Sequence, residues 1–348
     1  MLHSIREDDG LLTRRRMLEA AGALTVAAAF ARTSQAAAQG GAPAPAQHPS
    51  PTSAPGKKQA PPVQIGILLG TFSRPTLEAR LDGVKASGLE CVQLSMDCAG
   101  LPAMPDKIAP EVLARIRREA AARGIAIAAL QGTFNMCHPD AEHRRTGLRR
   151  LRVLAAACGP SGTSNSALCT GTRDRENMWR RHPDNDSPEA WRDMAACVGE
   201  AADVARQAGV TLAFEPEVNN VVDSAKKARR ILDEIRSPHL KVTMDAANIF
   251  HAGELARMSE VLDEAFALLG KDIALAHAKD LSRDGDAGHE PAGHGKLDYA
   301  RYLSLLHTCG FEGPLLLHGL SEAQVPRCVT FLREKLALVT SARSRPSR

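Results

Sequence analysis

Four side chains able to bind a divalent cation stand at matching places in a chain of 348 residues. Glu215 closes the apolar run "VTLAFE", Asp245 closes "LKVTMD", His277 closes "DIALAH" and His318 closes "GPLLLH". A single strand ending on a polar residue usually means that it has met solvent. Two carboxylates and two imidazoles ending four successive strands fit that reading poorly. A mixed oxygen and nitrogen donor set suits Mn²⁺, Fe²⁺, Zn²⁺ or Co²⁺ better than Mg²⁺ or Ca²⁺. An unpaired carboxylate buried at such a rim carries a desolvation cost that a bound cation removes. Just past His277 come Lys279 and Asp280. Lys279 is placed to hold or polarise a substrate oxygen, and Asp280 to orient a ring N–H or to pair with Lys279. A surface salt bridge between the two is the plainer alternative.

The elements that must position these residues repeat from Val63 onward. Short, almost continuously apolar runs at 63–69, 90–95, 125–130, 165–170, 210–215, 240–245, 272–277 and 313–318 read as strands buried on both faces. Amphipathic helical patterns alternate with them: Pro75–Ser87, Pro110–Arg123, Asp140–Cys158, Ser187–Ala208, Val222–Arg236, Glu254–Leu269, Asp298–Cys309 and Glu322–Leu338. Several stop at a glycine just before the next strand, as in "AARGIA" and "RQAGVT". Eight strands alternating with eight helices predict an α/β fold, a single (β/α)8 TIM barrel over residues 63–340. A doubly wound open sheet is the alternative architecture. No GxGxxG or GxxxxGK loop follows any strand, which weakens a nucleotide-binding reading. In a closed barrel the active site lies at the C-terminal strand ends, so closure would crowd Glu215, Asp245, His277 and His318 around one ion.

The remaining segments are not barrel. Residues 1–38 contain "TRRRMLEAAGALTVAAAFARTSQAAA", with Arg14 and Arg15 ahead of a short Ala-rich run and small residues near Ala36 and Ala38. The pattern resembles a twin-arginine signal peptide, which would make the translocase a transient partner and the periplasm the destination. The run Ala20 to Ala31 is too short to span a bilayer, so no stable membrane anchor is expected. Residues 39–62, rich in Pro and Ala, read as a disordered linker, and 341–348 as a disordered tail. The net charge is +4, but 37 Lys/Arg and 36 Asp/Glu remain after residue 62, leaving a nearly neutral body. That argues against a nucleic-acid partner held by bulk charge. Eight cysteines without a CxxC pair read as small core hydrophobes rather than a disulfide framework.

The series "LAFEPE", "VTMDAAN", "LAHAKD", "GHGKLDY" and "GPLLLHGLSE" resembles the xylose isomerase-like barrel superfamily, and more narrowly its sugar phosphate isomerase/epimerase group. The resemblance covers about residues 63–338 and extends to the loops "GTFNMCHPD", "LCTGTRD" and "MWRRHPDN". It implies one divalent metal, held by residues of strands five to eight, that binds neighbouring hydroxyl and carbonyl oxygens of a sugar, sugar phosphate or polyol. A proton then moves at the adjacent carbon through a metal-stabilised enediolate. In these terms Glu215, Asp245, His277 and His318 bind the metal, Glu215 or Glu217 is the general base and Lys279 assists. If "EPEVNN" stays extended, Glu215 and Glu217 face opposite ways and only one reaches the ion.

Candidate substrate binders are Asn135 and His138 after strand three, and Arg173, Trp179, His182 and Asn185 after strand four. Asn220, Asn248 and His294 complete the set. Arg173 would grip a phosphate or carboxylate, and Asn220 would hydrogen-bond one of the two glutamates. Superfamily members are often dimers or tetramers, so a homo-oligomer fits the resemblance. Two departures stand out. His318 replaces the usual strand-eight Glu, with Glu322 as a substitute, and Asn248 replaces a frequent His. Rival readings are a dehydratase or lyase on a similar polyol, an abasic-site endonuclease, which needs further zinc ligands not found here, and a non-catalytic periplasmic carbohydrate-binding barrel.

Overall fold

The computed structural model describes residues 63–343. The signal-peptide, linker and 344–348 expectations lie outside the described residues. Eight parallel strands form a closed ring: β1 (Ile65–Leu68), β2 (Cys91–Leu94), β3 (Ala126–Gln131), β4 (Asn165–Cys169), β5 (Thr211–Glu215), β6 (Leu240–Asp245), β7 (Ile273–Asp280) and β9 (Leu315–Leu317). The pairing of β1 with β9, and of β9 with β7, closes the barrel. A two-residue strand, β8 (Glu290–Pro291), adds antiparallel to β7 beyond the ring. The helices are α1 (Leu77–Ala86), α2 (Pro110–Ala122), α3 (Ala141–Ser161), α4 (Pro188–Ala208), α5 (Ala225–Ile235), α6 (Met258–Leu269), α7 (Tyr299–Thr308) and α8 (Val325–Arg343). The chain therefore adopts the TIM barrel expected from its alternating elements, and α8 runs three residues past position 340.

Local chemistry sets the boundaries. Ser187 caps α4 by accepting from Ala190 N–H, and Asp298 caps α7 by accepting from Arg301 N–H. Gly209 ends α4 with φ 68°, a left-handed turn that a Cβ would strain, and Val210 follows at once as the approach to β5. α5 starts at Ala225 rather than Val222, because the Ser224 hydroxyl supplies its cap. Strand seven runs three residues past His277, since β8 gives Lys279 and Asp280 a pairing partner outside the ring. Strand nine stops at Leu317, leaving His318 one residue beyond it, still tied by its N–H to Ala278 O at 3.2 Å.

The main core lies between the helices and the outer face of the barrel. Inside the ring is a separate layer of small residues, Ala129, Ala167, Ala213 and Leu275, and a further small cluster is formed by Cys91, Ala128 and Leu316 where the β2–β3 register shifts. Strand side chains alternate between faces. Counting two residues on from Ala213, Leu275 and Leu316 therefore gives Glu215, His277 and His318, all on the inner face. The same count from Cys91 and Ala129 gives Gln93 and Gln131. A register shift between Val242 and Thr243 sets Asp245 directly opposite His277. All eight cysteines are free thiols, seven of them buried.

Candidate metal centre

Glu215, Asp245, His277 and His318 each offer one ligand atom, and those atoms lie within 4.8 Å of one another. His277 Nδ1 is 3.2 Å from Glu215 Oε2 and 3.7 Å from Asp245 Oδ2, and His318 Nδ1 is 3.6 Å from Asp245 Oδ2. Donors about 2.1 Å from a shared ion stand roughly 3–4 Å apart, so the spacing fits a cation. Asp245 Oδ2, His277 Nδ1 and His318 Nδ1 are buried atoms with no hydrogen-bond partner; the 3.2 Å approach to Glu215 lacks hydrogen-bond alignment. Three converging buried polar atoms without hydrogen-bond partners are what a bound cation would explain. The residues present fit a divalent metal.

The far sides of these ligands are held. His277 Nε2–H donates to Gln93 Oε1 at 3.2 Å, which turns Nδ1 toward the cluster. Asn248 Nδ2 donates to Glu215 Oε1, and Asn248 Oδ1 accepts from Gly288 N–H at 2.8 Å. The Tyr302 hydroxyl lies 2.9 Å from the carbonyls of both Met244 and His277, bridging β6 and β7 beneath the cluster. Asp280 accepts from the N–H groups of Leu281, Leu297 and Gly293, and so folds the "GHGKLDY" loop against the strand. Gly295 is required there, since a Cβ would come within 2.4 Å of Asp280 Oδ1.

Charge is concentrated on this inner face. Lys279, 6% exposed, places Nζ 3.4 Å from Asp245 Oδ2. Burial works against its ammonium, but Asp245 and Glu215 outweigh that and raise its pKa. Burial likewise opposes the Asp245 carboxylate, yet Lys279 and the two imidazoles hold its pKa well below the ordinary range. Burial and then Lys279 lower the pKa of His318, which keeps that imidazole neutral, the form that ligates. Against the effect of burial, Glu215 and Asp245 raise His277 to about 9. Without a cation the cluster thus keeps a proton that a metal would displace. Glu217 is 4% exposed, and its carboxyl makes no hydrogen bond among the described residues. Burial first, then the charge of Glu215, pushes its pKa up to about 8.

Several expected placements are corrected. β5 ends at Glu215, so Glu217 lies in the turn beyond and feels Glu215, Lys279 and Asp245 together, rather than facing away on an extended strand. Lys279 and Asp280 do not pair with each other; both are buried and serve different partners. Glu322 is engaged by Arg74 at 2.6 Å and does not substitute for a strand-eight carboxylate. Asn220 Oδ1 accepts from Gly171 N–H instead of meeting a glutamate.

The expected substrate binders largely brace loops. Asn135 bonds Cys137 N–H, Thr172 N–H and Asp174 O, and His138 bonds Asp140 N–H and approaches Arg175 O. Arg173 pairs with Asp193 at 2.8 Å, and Asn185 bonds Thr172 and Arg173. His182 caps a short turn, His294 approaches Ala292 O, and Trp179 is 47% exposed. Sequence reasoning passed over Gln93 and Gln131. Their signal was a lone amide at the inner end of an otherwise apolar strand.

Residues 81–335 match the family described as the xylose isomerase-like TIM barrel. A ketose 3-epimerase of Arthrobacter globiformis is 28% identical over 134 residues, 37% of this chain and 42% of that relative. The match thus spans under half of the relative's length. The crystal structure of a D-tagatose 3-epimerase-like protein superposes with a TM-score of 0.65 at 13% identity, over 80% of this chain and 99% of that one. A xylose isomerase-like TIM barrel protein from Mycobacterium smegmatis, solved in complex with magnesium, gives 0.59 at 17% identity over 81% and 97%. At such identities the superpositions speak to the fold alone, while the family match covers most of the sequence. The chain belongs to the xylose isomerase-like TIM barrel family.

Proposed function

We propose that this protein is a divalent-metal-dependent isomerase or epimerase that moves a proton at a carbon next to a carbonyl in a sugar, sugar phosphate or polyol. The observation that carries this is the convergence of Glu215, Asp245, His277 and His318, three of whose facing atoms have no hydrogen-bond partner. An ion held there, Mn²⁺, Fe²⁺, Zn²⁺ or Co²⁺ by its donor set, supplies stabilisation of negative charge on a substrate oxygen. Glu215, with Oε1 taken by Asn248 and Oε2 turned to His277, is a ligand rather than a base. Glu217 is the acid/base group. It is 4% exposed, makes no side-chain hydrogen bond among the described residues, and feels the charges of Glu215, Lys279 and Asp245. Lys279, anchored on Asp245, presents a fixed positive charge to a substrate oxygen. A lyase acting on a similar polyol shares the first proton removal and differs in its product.

Loading the protein with Mn²⁺ and incubating it with a panel of aldoses and ketoses in D2O tests the reading. Deuterium is expected at the carbon beside the carbonyl. Glu217→Gln is expected to slow its entry by about 10²–10⁴-fold while holding Mn²⁺ affinity within about threefold. Sugar binding without any exchange would replace this reading with a carbohydrate-binding barrel. From residues 14–38 we also propose export through the twin-arginine translocase to the periplasm. Arg14→Lys with Arg15→Lys is expected to leave the protein in the cytoplasmic fraction, and unchanged export of that variant would refute the route.

A further inference from the structure

Beside the cluster, on the side of β1, β2, β3 and β9, lies a cavity of about 400 Å³ whose polar walls come from Thr71, Gln93, Ser95, Asp97, Gln131 and His318. His318 belongs to both sites, so a substrate reaching the metal extends into this space. Gln93 is 4% exposed, and its carbonyl accepts from His277 Nε2–H, so its amide N–H₂ remains to donate into the cavity. Gln131, two residues on from the inner-layer Ala129, presents a second amide, and Ser95 and Thr71 add hydroxyls. Amides and hydroxyls both donate and accept, which matches sugar hydroxyls.

The same surroundings are wrong for a phosphate. A phosphate group calls for Arg or Lys, or for open N–H groups at a helix start. Among the described residues none of the cavity walls is Lys or Arg, and Asp97 brings a carboxylate. In many barrels phosphate sits by the loops after the last two ring strands. Here, in the turn after β9, Ser321 N–H and Oγ–H both donate to Gln324 Oε1 at 2.9 Å, and Glu322, paired with Arg74, adds a carboxylate. Three of the four arginines at 173–181 on the loop after β4 are engaged, Arg173 with Asp193, Arg180 with Asp174 and Arg181 with Asp186, and the fourth, Arg175, is exposed and does not line the cavity. Lys279 lies among Asp245, Glu215 and Glu217.

We infer that this cavity takes the hydroxyl-bearing remainder of an uncharged sugar or polyol and disfavours phosphate esters, an inference that rests on the metal-centred reading above. Titration calorimetry on the full-length, Mn²⁺-loaded protein tests it, with D-fructose and D-xylulose against D-fructose 6-phosphate and D-xylulose 5-phosphate. The free ketoses are expected to bind about tenfold more tightly than their esters. Gln131→Leu is expected to weaken ketose binding about fivefold or more without altering Mn²⁺ affinity. Ser95→Arg is expected to narrow or reverse the preference by giving the ester a cationic partner. An ester that binds as tightly as its ketose, with Mn²⁺ bound, overturns this inference alone. Loss of Mn²⁺ affinity in Gln131→Leu, or failure of every probe to bind the loaded protein, overturns it as well. Failure of Mn²⁺ to bind the wild-type chain overturns the metal reading and this inference with it.

Discussion

Two groups of buried polar side chains sit close to the barrel mouth and behave in opposite ways. On the loops after β3 and β4, Asn135, His138, Arg173 and Asn185 hydrogen-bond to backbone and to one another until their main groups are satisfied. At the ends of β5 and β6, within β7 and just past β9, Glu215, Asp245, His277 and His318 are as polar but leave three of their atoms orphaned. An orphaned buried polar atom is destabilising unless something binds it. The first group therefore reads as scaffold and the second as a site. Histidine by itself does not separate them, because each group contains an imidazole. The state of their hydrogen bonding does.

The sharpest way to break this comparison is to remove the central carboxylate. Asp245→Asn, with its shape kept, is expected to lower Mn²⁺ affinity by on the order of 100-fold or more, read by calorimetry or by metal content after dialysis. Unchanged metal content would place the cation elsewhere or nowhere. Asn248 comes next, since it touches Glu215 rather than the ion. Asn248→Leu is expected to cost roughly 10–100-fold in Mn²⁺ affinity.

Acidity offers a third test. His277, held near 9 without metal, must lose its proton for the ion to bind, so affinity should climb as pH rises toward that value. The slope expected for one displaced proton is about tenfold per pH unit. A flat profile between pH 6 and 8 would count against His277 as a ligand. The smallest effect belongs to the scaffold. Asn135→Ala is expected to lower unfolding free energy by about 1–3 kcal/mol in urea titration, with Mn²⁺ affinity unmoved. A loss of metal from that variant would join the two regions that the hydrogen bonds keep apart.

Much of the fold was readable in the linear chain, because short range effects dictate it. Continuous apolar runs of six or seven residues, glycine stops and Ser or Asp caps mark alternating strands and helices, and eight such pairs close into a ring. The four metal candidates were readable for a related reason: each sits at or near the C-terminal end of a ring strand, where the period of two and the closure of the ring dictate a shared face. Loops were not readable in this way. Arg173 looked like an anion grip, yet Asp193, twenty residues on along α4, takes its guanidinium. Whether Glu215 and Glu217 could both serve the site hung on "EPEVNN" staying extended, and β5 ends at Glu215, leaving Glu217 beyond the strand but within the field of Glu215, Lys279 and Asp245.

Residue order alone thus established the barrel and singled out the four candidate donors, because backbone periodicity repeats locally and needs no distant partner. Only the folded chain decided which polar atoms find partners and which do not. Hydrogen bonds such as Gln93 to His277, 184 positions apart, depend on ring closure and on the register shift within β2 and β3 pairing. Satisfaction of a buried donor or acceptor is a property of three-dimensional neighbours, and that is where scaffold and site part company.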